Sequence, residues 1–205
     1  MDLDRLTSRD RLALSIALIL VAVALAGVGA FAAFTSSASV SQSITSGTVT
    51  IALGATGTAD NRLNIAATGV VPGDTIQRAV NVSNTGNQDF ASITLTTAAS
   101  TSSLLDTDAT DGLQMVIERC SVAWTEGGSA PAYTYTCSGT TSSVLASRAV
   151  IGSSLSLSNL GLTAGTTNHL RVTLTLPSTA GNTLQGLTSV IAYTFTGTQR
   201  AATSK

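Results

Sequence analysis

The chain has 205 residues, of which 43% are hydrophobic, only 10% are charged and 4% are aromatic, and its formal net charge is -1. Ten basic against eleven acidic residues leave no basic excess to follow a phosphate backbone, so the composition excludes a typical nucleic-acid-binding protein. One histidine and two cysteines are few for acid-base, nucleophilic or metal chemistry, which argues against an enzyme.

The amino terminus has the three-part layout of a secretory signal. Three arginines precede an uncharged, largely apolar stretch of 23 residues, which ends in the small-residue run GVGAFAAF. Ala30 and Ala32 supply the small side chains that a signal peptidase needs three and one positions before the cut. We therefore predict a signal helix in residues 1–32, cleavage between Ala32 and Ala33, and export. An uncleaved membrane anchor is the alternative, because such a stretch could cross about 30 Å of hydrocarbon.

The predicted mature chain, residues 33–205, opens with a strictly alternating segment. Every odd position from Thr35 to Thr45 is Ser or Thr, and the apolar side chains have the opposite parity. These apolar residues are Phe34, Ala38, Val40 and Ile44. A period of two over this length predicts a half-buried strand. Because cleavage frees its end, the segment is a candidate donor strand for the sheet of a neighbouring subunit.

Short alternating runs continue along the chain, and turn motifs separate them. The runs lie at 49–53, 80–83, 92–96, 154–158, 171–176 and 193–196. The turn motifs are VPGD at 71–74, NTGN at 84–87, EGG at 126–128 and AGN at 180–182. Alternating strands without a helical period predict an all-β fold, an antiparallel β-sandwich of jelly-roll or Greek-key type, in one domain over 33–205. Residues 100–112 fit either a loop or a short helix.

Two cysteines, Cys120 and Cys137, flank the segment CSVAWTEGGSAPAYTYTC. The segment predicts two strands joined around Gly127, Gly128 and Pro131. In an exported chain without a third cysteine, we predict a disulfide between the two. A redox pair is the alternative, but the spacing is far from the C-x-x-C motif of thiol oxidoreductases.

Two features could bind a metal ion. Asp106, Asp108 and Asp111 in DTDATDG have the spacing that opens a calcium loop, but the glycine and the twelfth-position glutamate of an EF-hand are missing. They are weak calcium candidates, and a solvated acidic loop is the alternative. His169 is the only histidine, whereas zinc hydrolases commonly need two or more. We therefore predict no cofactor and no catalytic residues, and we expect His169 to be exposed.

Four motifs give the chain a resemblance to the TasA/camelysin family of exported bacterial surface and biofilm-matrix proteins. They are GVGAFAAF at the end of the signal, SGTVTIAL at 46–53, GVVPGDTIQRAVNVSNTGN at 69–87 and YTFTGTQ at 193–199. The resemblance implies export through a dedicated signal peptidase, a jelly-roll subunit and a fibre-forming role in the extracellular matrix. It also implies that subunits join through the amino-terminal strand. Camelysin itself bears a metallopeptidase label.

We expect a secreted or cell-surface structural protein that polymerises with itself by β-strand addition. Low charge, long Ser/Thr alternations and few prolines leave sheet edges poorly protected against pairing with another chain. The expected partners are further copies, other matrix or surface proteins, and the signal peptidase during export. We expect no nucleic acid, and membrane contact only through an uncleaved signal. A camelysin-like metalloendopeptidase and a monomeric surface binding module are the alternatives.

Overall fold

The computed structural model of the chain describes Arg9 and residues 46–203. The predicted signal helix, the cleavage site at Ala32 and Ala33, and the four donor-strand residues lie outside this part. The described strands are β1 (Ile51–Leu53), β2 (Thr75–Asn84), β3 (Phe90–Thr101), β4 (Gln114–Cys120), β5 (Thr125–Ser129), β6 (Ala132–Thr136), β7 (Thr141–Ala149), β8 (Gly152–Ser156), β9 (Thr167–Thr175) and β10 (Val190–Gln199). Among the described residues no helix has the length and apolar character needed to span a membrane.

Eight of these strands form two antiparallel sheets. The larger sheet has the order β1-β2-β9-β4-β7, and the smaller has the order β10-β3-β8. Successive strands change sheet repeatedly: β2 and β4 belong to the larger sheet, whereas β3 belongs to the smaller. Such crossovers are typical of Greek-key and jelly-roll sandwiches. The predicted fold class, an all-β antiparallel sandwich, is confirmed.

The facing sides of the two sheets share one apolar core. Val80 and Val82 of β2 and Ile93 and Leu95 of β3 are completely buried, and Phe195 of β10 packs into the same cluster. Each of these residues alternates along its strand with a more polar or smaller neighbour, as a period of two requires. Burying one such side chain contributes about 1.5–3 kcal/mol. The alternation in the sequence therefore also identifies the residues whose burial stabilises the sandwich.

The strands β5 and β6 form a separate two-stranded hairpin, which turns at Ala130 and Pro131. The predicted turn position at Gly127 and Gly128 was wrong, because both glycines lie inside β5 and pair with residues of β6. Gly128 has a φ of 71°, and a Cβ atom at this position would collide with the carbonyl oxygen of Ala132. Glycine is needed here for a positive φ and a close backbone approach within the strand, not for the turn.

The segment at 100–112, which fitted either a loop or a short helix, contains the four-residue helix α1 (Leu104–Thr107). The Ser103 hydroxyl accepts a hydrogen bond from the Leu105 N–H at 3.1 Å, and the Asp106 carboxylate accepts one from the Ser103 N–H at 2.7 Å. This reciprocal pair is a capping box, which satisfies backbone donors that would otherwise lack partners at the first turn. A 3₁₀ helix (Asn182–Leu184) lies between β9 and β10.

Candidate functional site

The strand β10 is a long edge of the smaller sheet. One side of its ten residues pairs with β3, and none of the described strands pairs with the other side. Phe195 is buried and Tyr193 is half-buried, whereas Thr194 and Thr196 are exposed. An edge of this kind presents backbone N–H and C=O groups that can pair with a strand of another chain.

The outward face of the smaller sheet consists of small uncharged side chains. Hydroxyl residues of β3 and β10 stand opposite one another in three cross-strand pairs: Ser92↔Thr198, Thr94↔Thr196 and Thr96↔Thr194. The three strands of this sheet contain no charged residue at all. Charged side chains on an edge strand commonly prevent pairing between sheets, and this sheet has none of them.

The hairpin of β5 and β6 is clamped by a disulfide and an ion pair. Cys120, at the end of β4, is bonded to Cys137, which follows β6. The Glu126 carboxylate accepts hydrogen bonds from the Arg62 guanidinium, with Nη2–Oε1 at 2.6 Å and Nε–Oε2 at 2.9 Å. It also accepts one from the Tyr135 hydroxyl at 2.9 Å. A covalent bond and a bidentate charge-assisted contact therefore fix the same hairpin.

The ion pair changes the titration of its members. The hydrogen bonds from Arg62 lower the pKa of Glu126 below its ordinary value, and they outweigh the opposing effect of desolvation. Burial and the hydrogen bond to Glu126 raise the pKa of Tyr135 to about 12. Near neutral pH the carboxylate is charged and the phenol keeps its proton. This pair is therefore suited to a structural contact rather than to proton transfer near neutral pH.

A second ion pair lies within the larger sheet, between strands β9 and β4 and next to the same hairpin region. Arg171 Nη2 donates a hydrogen bond to Glu118, and the Arg171 guanidinium lies over the Trp124 ring at 4.5 Å from its centroid. The indole N–H of Trp124 donates to the backbone carbonyl of His169 at 3.0 Å. Glu118 and Glu126 are the only glutamates in the chain. Both therefore serve as partners of arginines.

The ring of His169 lies in a polar chain on β9 and β2. Its Nδ1 is 2.8 Å from Asn81 Oδ1, and the Asn81 amide donates to Asp60 Oδ1 at 2.7 Å. The side chain is half-buried, so the expectation of an exposed histidine was wrong. Burial lowers the pKa of His169, although the charge of Asp60 opposes the shift. The imidazole is therefore predominantly neutral at pH 7.

The three predicted calcium candidates have separate hydrogen-bond partners. The buried Asp106 accepts hydrogen bonds from two serine hydroxyls and a backbone N–H, and Asp108 accepts two backbone N–H groups of its own loop. Asp111 accepts a hydrogen bond from the Thr179 hydroxyl at 2.7 Å. Within residues 46–203, no group of three or more His, Cys, Asp or Glu side chains forms a metal-binding cluster. This geometry gives the calcium interpretation no support.

Over residues 46–203 the fold is a two-sheet β-sandwich that carries a disulfide-clamped hairpin, and β10 is an edge strand of its smaller sheet. The chain belongs to the camelysin metallo-endopeptidase family, whose sequence profile matches residues 7–204. This match confirms the resemblance to the TasA/camelysin family. Comparison with curated proteins finds no match. A solved structure, "AvmM Catalyzes Macrocyclization in Alchivemycin A Biosynthesis", is similar at a TM-score of 0.31 and 11% identity, covering 76% of this chain and 91% of that chain.

The donor groups in the described part of the chain do not fit the metal that the family name implies. A catalytic zinc needs three protein ligands, typically histidines with a carboxylate or thiolates. The one histidine, His169, has its Nδ1 bound to Asn81, and the only two cysteines are bonded to each other. Both glutamates are paired with arginines. The residues at 46–203 therefore offer no set of three His, Cys, Asp or Glu ligands for such an ion.

The contact between Arg62 and Glu126 was not predicted from the sequence. The two residues are 64 positions apart, so no local spacing reveals that they meet. One signal was present: with 10% charged residues in the chain, a charge in an otherwise uncharged region such as TEGGS is unusual. A lone carboxylate in such a region indicates a specific partner, although the sequence does not name it.

Proposed function

We propose that the mature chain is a secreted structural subunit of the bacterial surface or extracellular matrix and that it polymerises by β-strand addition. The observation that carries this proposal is the long, uncharged edge of β10 in a chain that belongs to the camelysin family. The proposed donor is Ala33–Thr45 of a neighbouring copy, since its apolar and hydroxyl side chains alternate as those of an edge strand do. Other matrix or surface proteins are further proposed partners.

The lengths of donor and edge support the proposal. At roughly 3.3 Å per residue, the 13 residues of the donor extend about 40 Å, and the ten residues of β10 extend about 33 Å. One donor could therefore pair along the whole edge and still leave a few residues to connect the two subunits. Backbone pairing of this kind supplies affinity, while alternate side chains supply specificity.

Deletion of Ala33–Thr45 tests the proposal. We expect the truncated protein to keep its β-sheet circular dichroism and a cooperative melt, but to remain monomeric in size-exclusion chromatography and to form no fibres in electron microscopy. Fibres of unchanged abundance would contradict the donor role. An unfolded truncated protein would show that the segment belongs to the core of its own subunit, which would also contradict the donor role.

Two matched double substitutions in the full chain test whether the pattern of side chains in the donor matters, because both leave its length unchanged. Val40→Asn with Ile44→Asn removes apolar side chains from one face of the proposed donor, and we expect it to reduce assembly strongly. Ser41→Asn with Ser43→Asn changes only the opposite face, and we expect assembly to persist. Equal effects of the two double variants would contradict a strand that buries one face.

The family description favours a second candidate, a metallo-endopeptidase. The assay is casein digestion with added zinc, using the wild-type protein and His169→Ala. We expect no digestion by either protein, because the chain has a single imidazole and no thiolate to contribute to a metal. Metal-dependent cleavage that survives repurification and disappears in His169→Ala would favour the peptidase. A wild-type protein that stays monomeric and inactive would favour the third candidate, a surface binding module.

A further inference from the structure

We propose that a groove at one end of the sandwich binds an acidic sugar unit, with the guanidinium of Arg119 receiving the carboxylate of the sugar. The groove lies where β4 ends and β7 begins, and its volume is about 430 Å³. Ligand sites commonly have volumes of roughly 300–1,000 Å³. In the described part of the chain the groove is lined by Arg119, Ser121, Thr140, Ser142, Asn159 and Leu160.

Arg119 is a charged residue at a position of β4 that faces the core. Met115 and Ile117, which have the same parity in this strand, are completely buried. Arg119 also stands directly opposite Leu170 of β9, which is completely buried as well. Residues directly opposite one another in antiparallel strands share a face of the sheet. In a chain with only 10% charged residues, an arginine at such a position indicates a specific use.

The guanidinium of Arg119 has no carboxylate partner among residues 46–203. The two ion pairs in that part of the chain involve other arginines, Arg62 and Arg171. The side chain of Arg119 makes a single hydrogen bond there, from Nη1 to the Asn159 carbonyl at 2.6 Å. A guanidinium carries several N–H donors in a fixed fork, so most of them remain for a ligand. A carboxylate matches this fork because it can accept two parallel hydrogen bonds.

Asn159 holds the guanidinium in place from one wall of the groove. Its backbone has a φ of 55°, the left-handed conformation that asparagine tolerates better than most residues. The Asn159 side-chain amide donates to the Ser143 carbonyl at 2.7 Å, and the Ser158 N–H donates to the Val144 carbonyl at 3.1 Å. Both bonds fix this segment on β7. Uncommon backbone conformations held in this way occur preferentially at ligand sites.

The opposite wall of the groove is equally constrained. The Ser121 N–H donates to the Thr140 carbonyl at 3.0 Å, and the Thr140 N–H donates to Ser121 Oγ at 2.9 Å. The disulfide between Cys120 and Cys137 joins the same two segments covalently. The groove is therefore formed before a ligand arrives, so binding does not have to order its walls.

The other groups of the groove match the rest of a sugar ring. The hydroxyls of Ser121, Thr140 and Ser142 can donate to and accept from the ring hydroxyls. Leu160 is half-buried against the core cluster and offers an apolar surface to the C–H groups of the ring. A free phosphate or sulfate would use the cation but not the apolar surface. The combination therefore favours a carboxylated sugar, as found in an acidic polysaccharide.

A second groove of similar size provides an internal comparison. Its volume is about 450 Å³, and its described lining is Asn87, Gln88, Asp89, Arg200 and Thr203. Arg200 Nη2 donates to Gln88 Oε1 at 2.8 Å. The carboxylate of Asp89 in the same groove would repel an incoming anion. Arg200 is therefore a matched control for Arg119: an arginine in a groove of equal size that should not bind the acidic sugar.

Titration of the secreted protein with trigalacturonate tests the proposal, with nuclear magnetic resonance locating the site and calorimetry measuring the affinity. We expect amide shifts at 119–121, 140–142 and 159–160. The neutral methyl ester of the same trisaccharide should bind at least roughly tenfold more weakly, because it cannot form the charge-assisted pair with Arg119. Absence of these shifts, or equal affinity for the ester, would overturn the proposal. Equal affinity for sulfate would reduce the groove to an unspecific anion site and would overturn it too.

Substitutions separate the charge of the site from its recognition of the sugar. We expect Arg119→Gln to weaken trigalacturonate binding at least roughly tenfold, and Arg200→Gln to leave it unchanged. Arg119→Lys should recover little affinity, since a lysine keeps the charge but loses the fork. A variant Arg119→Gln that folds and binds as tightly as the wild type would overturn the role of Arg119.

The double variant Thr140→Val with Ser142→Ala keeps the charge and removes two hydroxyls at the rim. It should weaken trigalacturonate binding by roughly three- to tenfold while leaving sulfate binding unchanged, and it carries the test if Arg119→Gln does not fold. Unchanged affinity for trigalacturonate would overturn the recognition of a sugar. The site does not depend on assembly: binding without fibres would support the site and contradict the proposed function, and fibres without binding would do the reverse.

Discussion

Arg62 and Glu126 form a bidentate ion pair that joins the loop after β1 to the hairpin strand β5, with contacts of 2.6 and 2.9 Å. The same guanidinium lies 4.7 Å from the ring centroid of Tyr133 in β6. One arginine therefore holds both strands of the hairpin. In a chain with only ten basic residues, this use of an arginine points to the hairpin as a fixed element of the fold.

We predict that Glu126→Gln lowers the melting temperature of the protein at pH 7 by about 2–4 °C, as expected for the loss of a partly exposed but bidentate ion pair in a domain of this size. Neutral glutamine cannot accept both guanidinium contacts with the strength of a carboxylate, and the Tyr135 hydroxyl loses its charged acceptor. Thermal unfolding followed by Trp124 fluorescence measures the change. An unchanged melting temperature would show that the pair contributes nothing to stability.

The pH dependence of this effect follows from the lowered pKa of Glu126. A group whose pKa is lower in the folded state stabilises that state above its unfolded pKa, about 4.3 for glutamate, and the contribution disappears as pH falls through the folded value. The wild type and Glu126→Gln should therefore differ at pH 7 and converge in acid. Arg62→Gln is the control, since Glu126→Gln should have a much smaller effect in that background.

We predict that Cys120→Ser with Cys137→Ser destabilises the protein by about 3 kcal/mol, the chain-entropy value for a loop of this length. The two cysteines are 17 residues apart, and the loop between them contains the whole hairpin. Urea unfolding of the double variant, and of the wild type with and without reductant, measures the loss. The reduced wild type is the control and should match the double variant. Equal midpoints for the oxidised and reduced protein would mean that the ion pairs alone hold the hairpin.

The period-two alternation made most of the fold predictable from the sequence. Where one face of a strand is buried and the other wet, as in β3 and β10, the alternation is visible in the residue types. The strand β4 did not give this signal. Its sequence, QMVIERC, has Val116 beside the fully buried Ile117, and its outward residue Glu118 is paired with Arg171, so neither face is simply wet.

The candidate edge was less predictable than the fold. Alternation predicted a strand at 193–196, but whether a strand is central or at an edge depends on the order of strands, which is set by contacts between distant parts of the chain. At the hairpin, by contrast, the sequence suggested a feature that the structure does not have. The pair Gly127–Gly128 has the composition of a turn, yet both glycines pair with residues of β6 and so lie within β5. Local turn chemistry therefore indicates that glycine is needed, but not for which purpose.

We predict that the secreted protein begins at Ala33. Ala30 and Ala32 provide the small residues that the signal peptidase requires, and Phe31 occupies the unconstrained position between them. Amino-terminal sequencing of protein from the culture medium measures the start. A start beyond Ser39 would remove part of the proposed donor segment and contradict both the cleavage site and the donor length. An intact Met1 in the membrane fraction would favour the uncleaved anchor.

The last prediction concerns Asp106, whose buried carboxylate ties helix α1 to the segment before β10. It accepts hydrogen bonds from the hydroxyls of Ser102 and Ser189 at 2.8 and 2.5 Å and from the Ser103 N–H at 2.7 Å. We expect Asp106→Asn to destabilise the protein by about 1–3 kcal/mol, because the amide nitrogen cannot accept a hydrogen bond and leaves a buried donor without a partner.

The stability that Asp106 contributes should depend on pH, whereas a simple loss of packing would not. Desolvation raises the pKa of Asp106, but the hydrogen bonds from Ser189, Ser103 and Ser102 outweigh it, so the pKa lies below the ordinary value. The stabilisation is therefore complete above about pH 3.9, the usual unfolded value, and disappears as pH falls through the folded value.

Urea unfolding at pH 7 and in acid should show the wild type and Asp106→Asn converging in acid. The control is Ser189→Ala, in whose background Asp106→Asn should cost less, since one of the hydroxyl donors is already gone. A difference between wild type and Asp106→Asn that stays constant with pH would show that the carboxylate charge makes no contribution.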